Sequence, residues 1–294
     1  MICCDGISKN GQDTCARNIF YRFWLGWHSI KVWRFTYISR LWIPFESLEL
    51  TAGIRWLTEY RGSEFFARVP NSQISRAALI PGQIDTGGQT FAADKWFQAW
   101  LPRVNALYRI SDDVNVFATI SKGRRSPVVQ VAAARSGGRS VPNVQTIAEE
   151  TVWNYEGGIK LASGPVSAAL GVYYQVYDNF QVSIPDPVRP GTFITVSAGS
   201  ASNLGVEGEL AVDLADWFTV FGNFGYIDGG VDNDPANGNL AGSRFRLQPE
   251  WQASGGFTID RDFGGVRFFA TPTITHRSSI FFTVRRRTIF KCTQ

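Results

Sequence analysis

The chain has 294 residues, of which 44% are hydrophobic, 14% aromatic and 18% charged, enough apolar material for a core and too much for a disordered chain. Sparse charge with 29 glycines suits a β-rich or membrane protein better than a helical one. The net charge of +4 belongs to the ends: six Lys/Arg precede Glu46 and five follow from His276 onward, leaving 18 basic against 23 acidic residues between, no surface for nucleic acid.

Residues 1–45 form an atypical N-terminal segment. Arg22, Lys31, Arg34 and Arg40 interrupt its aromatic stretch from Ile19 to Phe45, so no transmembrane helix is expected. The start Met1-Ile2-Cys3-Cys4-Asp5 lacks the basic, apolar and small-residue regions of a secretory signal. Cys3, Cys4, Cys15 and His28 suggest a metal site, but adjacent cysteines followed by an 11-residue step do not match the paired short spacings of zinc ligands. Neither a metal nor a cofactor is expected.

From Glu46 a two-residue period sets in, the mark of strands with one apolar and one polar face. Leu48, Leu50, Ala52, Ile54 and Trp56 oppose Glu49, Thr51, Arg55 and Glu59. Val166, Ala168, Leu170, Val172, Tyr174 and Val176 oppose Ser167, Gly171, Gln175 and Asn179; Leu204, Val206, Leu210 and Val212 oppose Glu207, Glu209 and Asp213. Phe245, Leu247, Trp251, Phe257 and Ile259 oppose Arg244, Arg246, Glu250 and Thr258. The period predicts roughly nine strands, over 47–60, 98–110, 113–122, 150–162, 165–182, 192–214, 217–228, 243–260 and 265–275. Most reach the roughly 9 to 11 residues that a tilted strand needs to cross a membrane.

The connections alternate in length. Short turns fall at Ser111-Asp112, Ser163-Gly164, Ala215-Asp216 and Arg261 to Gly264, and long polar loops fill 61–97, 123–149, 183–191 and 229–242. Short turns on one side and long loops on the other are the outer-membrane barrel arrangement. Trp96, Trp100, Tyr108, Trp153, Tyr155, Trp217, Tyr226 and Trp251 cluster near strand ends, where amphipathic rings suit a lipid–water interface.

Three motifs carry a family resemblance. Leu101-Pro102-Arg103-Val104-Asn105-Ala106-Leu107-Tyr108, with Asp112-Asp113-Val114-Asn115-Val116-Phe117-Ala118-Thr119-Ile120-Ser121-Lys122-Gly123, resembles a hairpin of the TonB-dependent outer-membrane receptors of siderophore type. Glu150-Thr151-Val152-Trp153-Asn154-Tyr155-Glu156-Gly157-Gly158-Ile159-Lys160 is similar to their next strand, and Asn203-Leu204-Gly205-Val206-Glu207-Gly208-Glu209-Leu210 to the segment that follows. The resemblance spans residues 46–282. It implies an all-β fold, a partial transmembrane antiparallel β-barrel with about nine of the family's about 22 strands. It also implies a plug inside the intact barrel, outer-membrane location, a TonB partner, and a ferric siderophore or similar scarce nutrient as ligand.

No plug-like region or TonB box is seen before Glu46, so the chain is expected to be a barrel fragment with impaired transport. Residues 1–45 and 283–294 are expected to be translated in a shifted frame or beyond a truncation, because Cys, His and charge usage change abruptly there. Arg285-Arg286-Arg287 is expected to be a solvated basic tail rather than an anionic-lipid site. Candidate ligand contacts are the lumen-facing Glu207, Glu209, Arg244, Arg246 and Glu250, whose other reading is hydrogen bonding to a plug or to lumen water. Lys122, Arg124 and Arg125 at an outer strand end are candidates for an anionic siderophore or lipopolysaccharide phosphate, or for loop solvation. Both histidines fall outside the regular strands, which leaves no nucleophile–base pair and no expectation of an enzyme. A small outer-membrane porin or structural barrel is the alternative.

Overall fold

The computed structural model describes residues 27–67, 84–186, 193–282 and 291–292, with side chains from Thr36 to Phe282 within those ranges. Cys3, Cys4, Cys15 and Arg285–Arg287 lie outside the described residues, and of His28 and Cys292 only the backbone is described.

The alternating stretches form antiparallel strands. In chain order these are β1 (Trp27–Phe45), β2 (Leu48–Phe65), β3 (Phe91–Arg109), β4 (Val114–Arg125), β5 (Val128–Ser136), β6 (Arg139–Ile147), β7 (Glu150–Ser163) and β8 (Val166–Asp178). There follow β9 (Gln181–Pro185), β10 (Phe193–Ser197), β11 (Ala201–Ala215), β12 (Phe218–Val231), β13 (Trp251–Phe263), β14 (Val266–Ala270) and β15 (Thr273–Arg277). A short 3₁₀ turn, Pro235–Leu240, lies between β12 and β13. The main sheet has the hydrogen-bonded order β1-β2-β3-β4-β7-β8-β11-β12-β13-β14, and β15 also pairs with β13. β14 and β15 thus share one place, broken at Pro272, a residue that cannot donate to a ladder. Among the described residues the two ends of the sheet do not pair, so the barrel is partial, and no plug-like unit is present.

The described residues divide into two compact units, one of those within 27–36, 55–100 and 129–146, the other of those within 37–54, 101–128 and 147–292. In the first, Phe65, Ala67, Phe91 and Val131 form a buried cluster that Ala93 and Ala133 extend. Thr86 pins the far end of β2, its N–H and hydroxyl donating to the Ala67 carbonyl at 2.9 and 3.1 Å. Glu59, fully buried, is ion-paired with Arg61.

In the second unit, register carries the sequence period across the sheet, since partners in an antiparallel pair share a face. Ala118, Gly157, Val172, Val206, Tyr226 and Trp251 stand side by side across six strands. On the opposite face the row Asn115, Lys160, Ala169, Glu209, Asn223, Ser254 and Thr275 is polar or small. The exposed apolar face is the one a membrane barrel turns to lipid, and the polar face is its lumen. Leu170, Val172, Tyr174, Leu204, Leu210 and Phe224 are all exposed on the lipid face.

The structure departs from the periodic reading at several points. β1 adds a strand where no period exists; Ile38, Leu41, Trp42 and Ile43 are all exposed, so pairing with β2 rather than a two-faced pattern defines it. The region 123–149, expected as loop, contains the β5–β6 hairpin around Gly137-Gly138, whose φ values of 56° and 77° suit a two-residue turn. The strand expected over 192–214 is broken at Gly199 (φ 84°), which separates β10 from β11. The strand expected over 243–260 begins only at Trp251, because Leu247 takes a positive φ of 60° and ends the alternation.

Candidate functional site

Five strands of the second unit bring polar side chains to the lumen face. β7 presents Glu156 and Lys160, β8 Tyr173, Gln175 and Tyr177, β11 Asn203, Glu207 and Glu209, β12 Asn223, and β13 Gln252. Between them the positions are small: Gly158, Gly171, Ala169, Gly205 and Gly225. Missing side chains leave a recess of about 510 Å³ lined by Glu156, Lys160, Glu207, Glu209, Asn223 and Gln252. A second recess of about 550 Å³ shares Lys160, Ala169, Glu209 and Asn223. Three carboxylates face one ammonium there, and the Lys160 Nζ lies 5.6 Å from the Phe117 ring centroid. The recess favours a cationic or hydrogen-bond-donating group over an anion.

Toward the long-loop end the lumen face becomes an amide ladder. Gln175 Nε2 donates to Asn154 Oδ1 at 3.1 Å, and its Oε1 accepts from Asn203 Nδ2 at 3.1 Å and the Tyr177 hydroxyl at 2.7 Å. Cross-strand amide pairs of this kind fix register while leaving the surface polar. Above the ladder the Phe180 and Phe245 rings stack at 4.7 Å, with Tyr177 edge-on to Phe180 at 5.4 Å. Arg125, more than half exposed, donates from Nη1 to the Gln181 carbonyl at 3.0 Å and stands 3.8 Å from Glu150. The mouth of the lumen therefore combines aromatic faces with a cation.

The sequence candidates divide. Register places Glu207 and Glu209 on the lumen face and at the recess. Arg244, Arg246 and Glu250 do not sit on a lumen-facing strand; they belong to the β12–β13 connection, where Arg244 Nη1 donates to Glu250 Oε2 at 2.9 Å and Arg246 is exposed. Lys122, Arg124 and Arg125 do not act as a cluster, because period 2 sends them to opposite faces. Lys122 projects on the lipid face with Nζ 5.8 Å from the Trp153 ring centroid, and Arg124 is buried 3.3 Å from Glu149. Arg125 alone faces the lumen.

Glu156, Lys160 and Tyr173 were missed although strand parity could have found them: counting from Asn154 in steps of two reaches Glu156 and Lys160. Phe180, Gln181 and Phe245 had no such signal, since they lie where the strands end. Among the described residues no group of three or more His, Cys, Asp or Glu is placed to hold a metal ion.

Comparison with known proteins agrees with this geometry. The family model described as TonB dependent receptor-like, beta-barrel matches residues 32–284, beginning within β1. The ferric yersiniabactin uptake receptor FyuA from Yersinia pestis has a similar fold, with a TM-score of 0.68 and 16% identity over 88% of this chain and 36% of that one. The ferric-catecholate import receptor Fiu from E. coli K12, in its closed form, gives a TM-score of 0.62 and 14% identity over 87% of this chain and 35% of that one. A copper transporter, OprC, gives a TM-score of 0.62 and 12% identity over 90% and 39%. This chain thus spans between a third and two fifths of each of these structures. With a matching family model over most of its length and a two-faced antiparallel sheet, the chain belongs to the TonB-dependent receptor β-barrel family, a family of outer-membrane transport receptors.

Proposed function

We propose that this chain is barrel sequence of an outer-membrane receptor for a ferric siderophore or a similar scarce nutrient, working with TonB through a plug inside the intact barrel. Its lipid face would contact membrane lipid and lipopolysaccharide. The observation that carries the reading is the split of one sheet into an apolar exposed face and a polar, recessed one. The mouth supports it further: Phe180, Phe245 and Tyr177 offer ring faces, and Arg125 offers a charge for an anionic chelate. Glu207 and Glu209 lie deeper, at the recess, where they suit donors of a plug better than an anionic ligand. Two of the similar structures are named as a ferric yersiniabactin receptor and a ferric-catecholate import receptor, which supports the same ligand class here.

Binding separates this reading from a small porin. The full chain folded into outer-membrane vesicles is expected to bind ferric yersiniabactin or a ferric catecholate, read by quenching of tryptophan fluorescence, and to give no steady conductance in a planar bilayer. Steady conductance with no chelate binding would sink the proposal in favour of a porin.

A further inference from the structure

The outer connections of the second unit are knotted together more tightly than connecting segments usually are. Gln181, only 3% exposed, stands at the centre of one knot. Its Nε2 donates to the Ser126 carbonyl at 3.1 Å and to the Ala148 carbonyl at 2.9 Å. Its backbone N–H donates to Glu150 Oε2 at 2.7 Å, and its carbonyl accepts from Arg125. One residue thereby joins the β4–β5, β6–β7 and β8–β9 connections.

Asn237, in the 3₁₀ turn, is the centre of a second knot. Its Oδ1 accepts from the Ser200 N–H at 3.2 Å, and its Nδ2 donates to the carbonyls of Ser200 and Asp232 at 3.2 and 2.9 Å. Gly199 lies directly against it: a Cβ there would stand 2.0 Å from Asn237 Oδ1, so the contact requires glycine as well as asparagine. Ser202 Oγ adds a 2.7 Å hydrogen bond to Asp232 Oδ1. Val182, Ala198 and Val231, packed by Phe180, Ile184, Val196 and Leu240, form an apolar core between the two knots. Phe180 also stacks on Phe245, ring centroids 4.7 Å apart.

We infer that these connections form a fixed collar, in which the β9–β10 strands and the 232–245 segment hold one arrangement before any ligand arrives. Two amide side chains and one small core supply what a mobile loop lacks, buried hydrogen bonds and apolar contacts that must break together for the segment to open. The collar presents Tyr177, Phe180 and Phe245 in a set position, so this side of the mouth loses little conformational freedom on binding. Any ligand-driven closure of the mouth has to come from other segments.

Hydrogen–deuterium exchange of the full chain, folded in detergent micelles without ligand, tests this directly. The amides of 181–184 and 193–197 should exchange within about tenfold of the rates in β8 and β11. Asn237→Ala and Gln181→Leu should each speed exchange there by at least about tenfold while leaving the β11–β12 ladder unchanged. Exchange of the unaltered hairpin at free-loop rates would overturn the inference, as would two folded variants with unchanged protection. If either variant fails to fold, the unaltered profile still decides whether the collar is fixed. No ligand enters the measurement, so its failure is distinguishable from failure of the receptor assignment.

Discussion

Gly158 and Gly171 are direct partners across β7 and β8, face the same lumen, and differ in one respect. A Cβ on Gly158 would stand 2.5 Å from the Leu170 carbonyl oxygen and 2.7 Å from the Phe117 ring, whereas one on Gly171 would meet nothing within 4 Å. Both positions gain roughly 0.5–1 kcal/mol when alanine replaces a strand glycine, because the unfolded chain loses freedom. That gain cancels between them, so the stability difference between Gly158→Ala and Gly171→Ala isolates the crowding. The Leu170 oxygen is part of the β7–β8 ladder and cannot withdraw as a side chain can, which sets an overpacking cost of about 1–3 kcal/mol, or about fivefold to 150-fold in the folding constant. Urea unfolding of the full chain in micelles, read by the mobility difference between unheated and heated samples on a gel, measures it. The midpoint should fall for Gly158→Ala with an unchanged slope and hold or rise for Gly171→Ala. Equal midpoints for the two variants would refute the register that pairs them or the crowding derived from it. Gly205 extends the logic, because the three atoms nearest to a Cβ there, at 2.1–2.5 Å, all belong to the Tyr173 side chain. The double variant Gly205→Ala/Tyr173→Ala should therefore show coupling, whereas Phe117→Ala should leave Gly158→Ala largely unrescued.

Three further outcomes follow from the same geometry. Val172→Arg, on the exposed face near the middle of β8, should cost about 2–4 kcal/mol in a bilayer, and Ala169→Arg on the lumen face much less; equal costs in vesicle refolding would mean the faces are misassigned. Gln175→Leu strips partners from Asn154, Asn203 and Tyr177 at once and should destabilise by about 1–3 kcal/mol; an unchanged urea midpoint would show that the ladder is already satisfied by water. Lys122→Met should cost only about 0.5–1 kcal/mol while shifting Trp153 fluorescence; a larger loss of stability would reveal an anionic contact that the lone ammonium over the ring does not suggest.

Much of this fold was legible from period 2 alone, because lipid and lumen impose opposite chemistry on alternate residues of every crossing strand. β4, β7, β8, β11 and β12 follow the predicted alternation closely, and Glu207 and Glu209 fall on the face that parity assigns them. Arg244 and Arg246 were misplaced because parity was extended through Leu247, where a left-handed backbone ends the alternation, and Glu250 because the strand begins only after it, at Trp251. Lys122, Arg124 and Arg125 were grouped by sequence adjacency, which in a strand is the relation that separates faces. Gln181 and Asn237 could not be found at all. Their roles depend on carbonyls at Ser126, Ala148 and Ser200, tens of residues away and brought near only by the closed loops.

The limit of the periodic signal also has a length scale. A tilted crossing needs roughly 9 to 11 residues, yet β2 and β3 run for 18 and 19. At roughly 3.3 Å per residue, each has several turns of pleat to spare beyond the hydrocarbon. There the apolar residues of β2 and β3 no longer face lipid; Phe65 and Phe91 are buried instead against Val131 of the β5–β6 hairpin. The alternation that marked 47–60 and 98–110 fades where the solvent that wrote it changes, and the hairpin that replaces lipid lies within residues the same period had assigned to loop. In this family member the membrane dictates the sequence of the crossing segments, and packing among the connections dictates the rest.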